Sequence, residues 1–324
     1  MNYIEFASDL PLDRTIVFRS AEENEEMMQR CGVNQVVRQI GRGKFRSDLA
    51  VRSTKQADLF ADRFNKAVSI YLEPPPGTIG ILFPRSASGQ FLASGQNVGN
   101  EQLVVVPDGS GTDIMIPDLA GSEAITIPTA RFIALTEVIS PTYTRPETFA
   151  VFKGNMAQMH HLRNAVIKLV SYPELKLNDE QLSNLIVATI TCIADCQSQD
   201  GRNEELPVSR TRLCIAKLAQ SYIEEHHKEA IRMEDLCLET AAALRTLQRC
   251  FREYFDLTIT DYIKTVRLNA AHCELINAHP REYSVTTIAL QHGFTHLGRF
   301  SVEFHKLFGQ SPRDTLAMQA GEKS

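Results

Sequence analysis

Two stretches near the C-terminus repeat one another. In the first, Met233 and Leu236 precede Ala241, followed by Leu247, Phe251 and Phe255; in the second, Val285 and Ile288 precede Gly293, followed by Phe300, Phe304 and Phe308. The offset is 52 residues up to the small residue of each turn and 53 beyond it. Each copy reads as a short apolar helix, a turn and a longer amphipathic helix. That is the layout of a helix-turn-helix, whose second helix lies in the DNA major groove. A chain carrying it twice is expected to end in an all-α domain.

The first long helix, Leu244 to Phe255, has two faces. Leu244, Leu247 and Phe251 form a stripe expected to be buried. Arg245, Gln248, Arg249 and Arg252 share another face at i, i+3, i+4 and i+7, with no acid before Glu253. Arginine reads guanine bidentately, glutamine can read adenine, and either can hold phosphate. In the second copy Leu297, Phe300 and Phe304 are the expected buried side, with His296, Arg299, His305 and Lys306 as the polar candidates.

The rest of the chain has a different period. From Asn34 to Pro128 it reads as short strands separated by Gly41-Arg42-Gly43, Pro74-Pro75-Pro76-Gly77 and Asp108-Gly109-Ser110-Gly111. The expected strands are 35–40, 44–51, 67–72, 78–83, 102–106, 112–116 and 124–127. Such punctuation indicates a β-sandwich or jelly roll. A helix is expected over 21–31. Beyond Thr129 the pattern turns helical, with stripes at Met159, Leu162, Val166 and Leu169 and at Leu182, Leu185, Ile186, Thr189 and Ile193. The polar run Gln197 to Glu205 reads as a linker. The expected class is therefore α+β and multidomain: a β jelly-roll domain over 1–145, a helical connector over 146–207, and an all-α domain over 208–320 with helix-turn-helix motifs at about 233–255 and 285–308.

Composition sets limits on function. The 324 residues are 43% hydrophobic and 23% charged, ordinary for a soluble globular protein. The net charge of −5 gives no global attraction to nucleic acid. Its distribution is uneven: residues 208–324 hold 15 Lys+Arg against 14 Asp+Glu, the remainder 19 against 25. No stretch predicts an export signal or a membrane span, so a cytoplasmic protein is expected. The seven cysteines form no CxxC pair and read as reduced thiols; Cys192 and Cys196, at i,i+4, predict helix packing.

The C-terminal residues resemble a known family. "MEDLCLETAAALRTLQRCFREYF", "YIKTVRLNAAHCELI" and "VTTIALQHGFTHLGRFSVEFHKLFGQSP" are similar to the DNA-binding domain of AraC/XylS regulators. The match runs over about 208–317. Its specific parts are Leu247-Gln248-Arg249-x-Phe251, Arg267-Leu268-x-x-Ala271, Ile288-Ala289-x-x-x-Gly293-Phe294, Phe300-Ser301-x-x-Phe304 and Phe308-Gly309-x-Ser311-Pro312. Gly293 suits a turn at positive φ, and Ser311-Pro312 an N-cap followed by Pro at N1. The resemblance implies about seven helices, a long linking helix from about Thr258 to Asn277, and sequence-specific control of transcription, most often activation through RNA polymerase. The chain departs from the family at Ala241-Ala242-Ala243, where a Gly and then a capping Ser are common, and at Val302, where a basic residue is frequent.

The N-terminal half, in "QVVRQIGRGKFRSDL", "LFADRFNKAVSIYL" and "QLVVVPDGSGTDIMIP", resembles the cupin-like sensor domain of one branch of that family. Metal-dependent cupins need clustered His and Glu, yet no histidine precedes His160. No metal, cofactor or catalytic residue is therefore expected, and a cupin enzyme fused to a DNA module is disfavoured. Arg38, Arg46, Arg52 and Arg63 are the candidates for an anionic small-molecule effector. The alternative is a β domain that only makes a homodimer or binds a protein partner. Either way the expected partner is double-stranded promoter or operator DNA.

Overall fold

The computed structural model describes residues 2–10, 15–87, 89–171, 179–200, 210–279 and 282–321. By contact the chain divides into two compact units: 1–37 with 46–93 and 97–207, and 208–324 with 38–45 and 94–96.

In chain order the first unit's elements are α1 (Tyr3–Phe6), β1 (Ile16–Phe18), α2 (Ala21–Arg30), β2 (Asn34–Gln39), β3 (Ser47–Ser53), β4 (Asp58–Phe64), β5 (Val68–Glu73), β6 (Thr78–Ser86), β7 (Phe91–Ala93), β8 (Gln96–Val98), β9 (Gln102–Val106), β10 (Thr112–Ile116), β11 (Ala120–Pro128), α3 (Thr129–Ile139), β12 (Ala150–Lys153), α4 (Met156–Ser171) and α5 (Asp179–Asp200). Two antiparallel sheets result, ordered β1-β3-β4-β11-β6-β9-β12 and β2-β5-β10-β7-β8.

The larger sheet is covered on both faces, and its alternation sorts the side chains. Leu59, Ala61, Ile79, Ile81, Phe83, Ile125 and Ile127 pack against Phe132 of α3, Met159, Leu162 and Val166 of α4, and Leu185, Ile186 and Ile193 of α5. The residues between them, Phe60, Asp62, Leu82, Ser122 and Thr126, turn toward Ile70, Phe91 and Ile114 of the smaller sheet. A strand buried on both faces reads as an unbroken apolar run.

Several elements differ from the sequence expectation. β1, β4, β7, β8 and β12 were not among the expected strands. Residues 44–46 precede β3, which runs on to Ser53. Gln197, expected in a linker, lies on α5, where it accepts from the Thr144 N–H at 3.0 Å and donates to the Thr144 carbonyl at 3.0 Å. Residues 201–205 lie outside the described residues. Helices α4 and α5, expected as a connector, share one core with the larger sheet.

Candidate nucleic-acid interface

The second unit continues with α6 (Arg210–His226), α7 (Met233–Thr240), α8 (Leu244–Phe255), α9 (Ile259–Asn277), α10 (Val285–Gln291), α11 (Leu297–Phe308) and α12 (Pro312–Gly321). Helices α7–α8 and α10–α11 are the two repeated pairs, and α9 joins them.

The turn of the first pair is built without its usual residues. Ala241 ends α7 at φ 49°, ψ 33°, a left-handed conformation that disfavours a Cβ. The N–H groups of Ala241 and Ala242 close the helix onto the carbonyls of Leu238 and Cys237, at 3.3 and 3.2 Å. Ala243 is the N-cap of α8, with extended backbone and no side-chain bond to the helix. The turn is held instead by packing. Leu247, Cys250, Phe251, Tyr254 and Phe255 are buried. Phe251 and Phe255 lie 4.6 Å apart, and each is 5.1 Å from Tyr262 of α9. Burial raises the Tyr262 phenol well above its ordinary pKa, and its hydroxyl donates to Glu224 at 2.7 Å.

The second pair has stronger local signals. Ser284 caps α10, its hydroxyl accepting from the Thr287 N–H at 3.0 Å. Gly293 turns the chain at φ +77°, and a Cβ there would lie 3.1 Å from the Arg267 guanidinium carbon. Arg267 in turn donates to the carbonyls of His227 and Glu229, at 2.7 and 2.6 Å. Gly309, at φ +68°, ends α11. Ser311 accepts from the Asp314 N–H at 3.1 Å, and Pro312 opens α12.

All eight candidate DNA contacts are exposed: Arg245, Gln248, Arg249 and Arg252 on α8, and His296, Arg299, His305 and Lys306 at or on α11. The four on α8 share the face opposite its aromatic core. Two expected core residues are not buried. Leu244 is 42% exposed and Leu297 37%, and each is the first residue of its helix. Sequence reasoning also missed a cleft of about 340 Å³ beside α9. Thr260, Lys264, Arg267, Thr295, Arg299 and Glu303 are among its lining. The signal existed, since Thr260, Lys264 and Arg267 recur at i, i+4 and i+7 along α9.

The four effector candidates do not converge, and each already has a partner. Arg38 pairs with Glu224 at 3.0 Å within the helical unit. Arg46 forks onto Asp48 at 3.0 to 3.3 Å. Arg52 donates to the Leu169 carbonyl near the end of α4 at 2.7 Å. Arg63 is fully buried between Asp9 and Glu123. The space between the sheets, lined by Phe60, Asp62, Ile70, Leu82, Phe91 and Ile114, is about 50 Å³. A cavity that binds benzene measures about 150 Å³, so this one suits only a few waters. Among the described residues there is no group of three or more metal-ligating side chains, and no helix is long and apolar enough to cross a membrane.

Residues 236–318 match the family described as a helix-turn-helix domain. The chain is 33% identical over 105 residues to the XylDLEGF operon transcriptional activator 2 of Pseudomonas putida, covering 32% of this chain and 66% of that protein. It is 32% identical over 102 residues to the probable thc operon regulatory protein of Rhodococcus erythropolis, covering 32% of this chain and 31% of that one. The match thus spans from about a third to just under two thirds of these relatives. A probable AraC family transcriptional regulator from Rhodopseudomonas palustris CGA009, a solved structure, is 30% identical, with a TM-score of 0.30 over 32% of this chain and 95% of that chain.

Proposed function

We propose that the C-terminal third of this chain, which matches a helix-turn-helix domain, is a DNA-binding domain of the AraC/XylS kind, and that the whole protein is a sequence-specific regulator of transcription, an activator rather than an enzyme. One observation carries the reading. Arg245, Gln248, Arg249 and Arg252 stand exposed on a single face of α8 while the opposite face is locked by Leu247, Phe251 and Phe255. A rigid helix with three guanidiniums and an amide on its free side suits phosphate and base-edge contacts in a major groove. Helix α11 offers Arg299, His305 and Lys306 in the same manner, with His296 at its N-cap. Both helices would enter successive major grooves on one face of the duplex, about 34 Å apart. The protein would work in the cytoplasm, recruit RNA polymerase, and answer to a small molecule held by the β unit.

Hydroxyl-radical footprinting on a selected operator tests this. Two protected windows about 10 bp apart on one face are expected from a non-palindromic site. One protected groove per monomer refutes the two-helix reading.

A second reading of the β unit, as a homodimer or protein-docking module without effector, draws on α3. Ala130, Ile133, Ala134 and Val138 are exposed along one side of that helix. Sedimentation of the full chain across a concentration series distinguishes the two: a dimer that forms and binds operator without any small molecule favours this reading.

A further inference from the structure

Three arginines and two carboxylates from distant parts of the chain meet in the first unit. Arg63 on β4 and Arg85 on β6 are both register partners of Gly121 on β11, so their side chains flank a position that has none. Arg63 is fully buried. Its Nε and Nη2 donate to the two oxygens of Asp9 at 3.3 and 2.7 Å, a bidentate fork. Arg85 Nη1 donates to the same Asp9 Oδ2. Beneath them lies Glu123, also fully buried, which accepts from Arg63 Nη2 at 2.5 Å. Arg163 of α4 closes the group, donating to the carbonyls of Pro84 and Asn100. Its Nε stands 3.8 Å from Glu123 Oε2, and neither atom has a hydrogen-bond partner.

Asp9 carries one of the two carboxylate charges set against the three guanidiniums. It pairs with Arg63 and Arg85; with Asp9 removed, these two keep Glu123, which Arg163 also approaches, as their ion-pair partner. Burial works against ionisation of Asp9, but Arg63 and Arg85 outweigh it and hold the carboxyl below its usual range. Yet Asp9 stands on a lightly held segment. It follows α1, a single turn of four residues, and its side chain is 24% exposed. The N-terminal segment Asn2–Leu10 buries only Phe6 and Leu10. Phe6 lies over both guanidiniums, 5.7 Å from that of Arg63 and 5.6 Å from that of Arg85, and the Tyr3 hydroxyl donates to the Arg63 carbonyl at 2.9 Å.

We propose that the Arg63–Arg85 fork is a carboxylate-binding site, that Asp9 is its built-in occupant, and that a small organic monocarboxylate with a short apolar body displaces Asp9 and Phe6 and frees the N-terminal segment. The ligand's carboxylate takes the fork, and its apolar body takes the place of the Phe6 ring over the two guanidiniums. The tethered Asp9 competes as a local carboxylate at an effective concentration in the millimolar range, so the free ligand gains from apolar contact what it lacks in tethering. The proposal rests on the β unit being a sensor and not on which helix residues read DNA. Operator binding and carboxylate binding fail independently.

The test uses the full chain, with acetate and butyrate as probes. Asp9→Ala vacates the fork and should melt below wild type. Acetate at about 0.1 M should restore much of that loss in a saturable way, where chloride at equal ionic strength does not. Arg85→Gln added to Asp9→Ala should abolish the rescue. If Asp9→Ala fails to fold, refolding yield in acetate against chloride gives the same reading, and Asp9→Asn supplies a milder vacancy. In wild type, butyrate should raise amide hydrogen exchange across 3–9 by about tenfold while leaving β4 and β11 protected. Equal responses to acetate and chloride in the vacated variants, or a segment that stays protected in butyrate, overturns the proposal.

Discussion

Arg249 and Glu253 sit one turn apart on α8, guanidinium nitrogen to carboxylate oxygen 3.9 Å, with the arginine side chain 56% exposed. An exposed pair of this length contributes little to stability, on the order of 0.3–0.5 kcal/mol. Glu253 is also claimed by Arg212 at 3.4 Å. Arg249 is therefore aligned along the helix but can exchange its carboxylate for a guanine edge at small cost. Losing such a contact should cost about 1–3 kcal/mol and flatten discrimination at one base pair. On the proposed reading Arg252, a turn nearer the C-terminus of α8, would hold phosphate. Arg252→Ala should weaken all sequences alike and lower the salt slope by about one unit. Binding across a randomised site at several salt concentrations checks both. Equal weakening of specific and non-specific DNA by Arg249→Ala removes it from the base readers.

The first turn predicts two stabilising substitutions. Ala243 has the N-cap backbone but no side-chain acceptor, so Ala243→Ser should stabilise the helical unit by about 0.5–2 kcal/mol. Ala241 sits at φ 49°, so Ala241→Gly should relieve on the order of 1 kcal/mol of left-handed strain. Both should raise the melting temperature. An unchanged or lower value for Ala243→Ser means the α8 N-cap lies elsewhere.

The second turn predicts the opposite. Gly293→Ala combines positive φ with a Cβ pressed 3.1 Å from the Arg267 guanidinium, which is held by two carbonyl bonds and has little room to retreat. We expect a loss of more than about 1 kcal/mol by chemical denaturation. Gly298→Ala, where a Cβ meets nothing within 4 Å and φ is not positive, is the control and should be neutral or stabilising.

Asp62 predicts a pH dependence in the β unit. Burial raises its carboxyl from 3.8 to about 6, against the lowering effect of the Ser122 N–H, Arg63 and the Ser122 hydroxyl. The folded state therefore binds this proton more tightly than the unfolded chain. The stability it contributes is fully present below about pH 3.8, lost as pH rises to about 6, and constant above, a difference of roughly 3 kcal/mol. Asp9, held low by its arginines, acts with the opposite sign, so the comparison must be of Asp62→Asn with wild type. The variant should gain on wild type between pH 4 and 6.5 and run parallel above. Parallel curves throughout mean that Asp62 is ionised without penalty.

The helices of the second unit were legible in the sequence because their causes are local. The stripe of Leu247, Phe251 and Phe255, the N-cap at Ser311 and the glycine at 293 all act within one or two turns of chain. Strand β4 was not legible. Its Asp-Leu-Phe-Ala-Asp-Arg-Phe carries charges at positions that turn out to be half-buried at Asp58 and Asp62 and fully buried at Arg63, and Asp62 and Arg63 are tolerable there because Ser122, Glu123 and Asp9 come to meet them. Those partners lie 54 to 60 residues away, beyond the reach of any periodicity. The same holds for the exposed ends of Leu244 and Leu297, whose apolar character marks a helix but not what covers it. Residue pattern determined which segments are helices and which face each presents. Only tertiary pairing decided where buried charge is neutralised, because a carboxylate and a guanidinium lower each other's cost of burial only at contact distance.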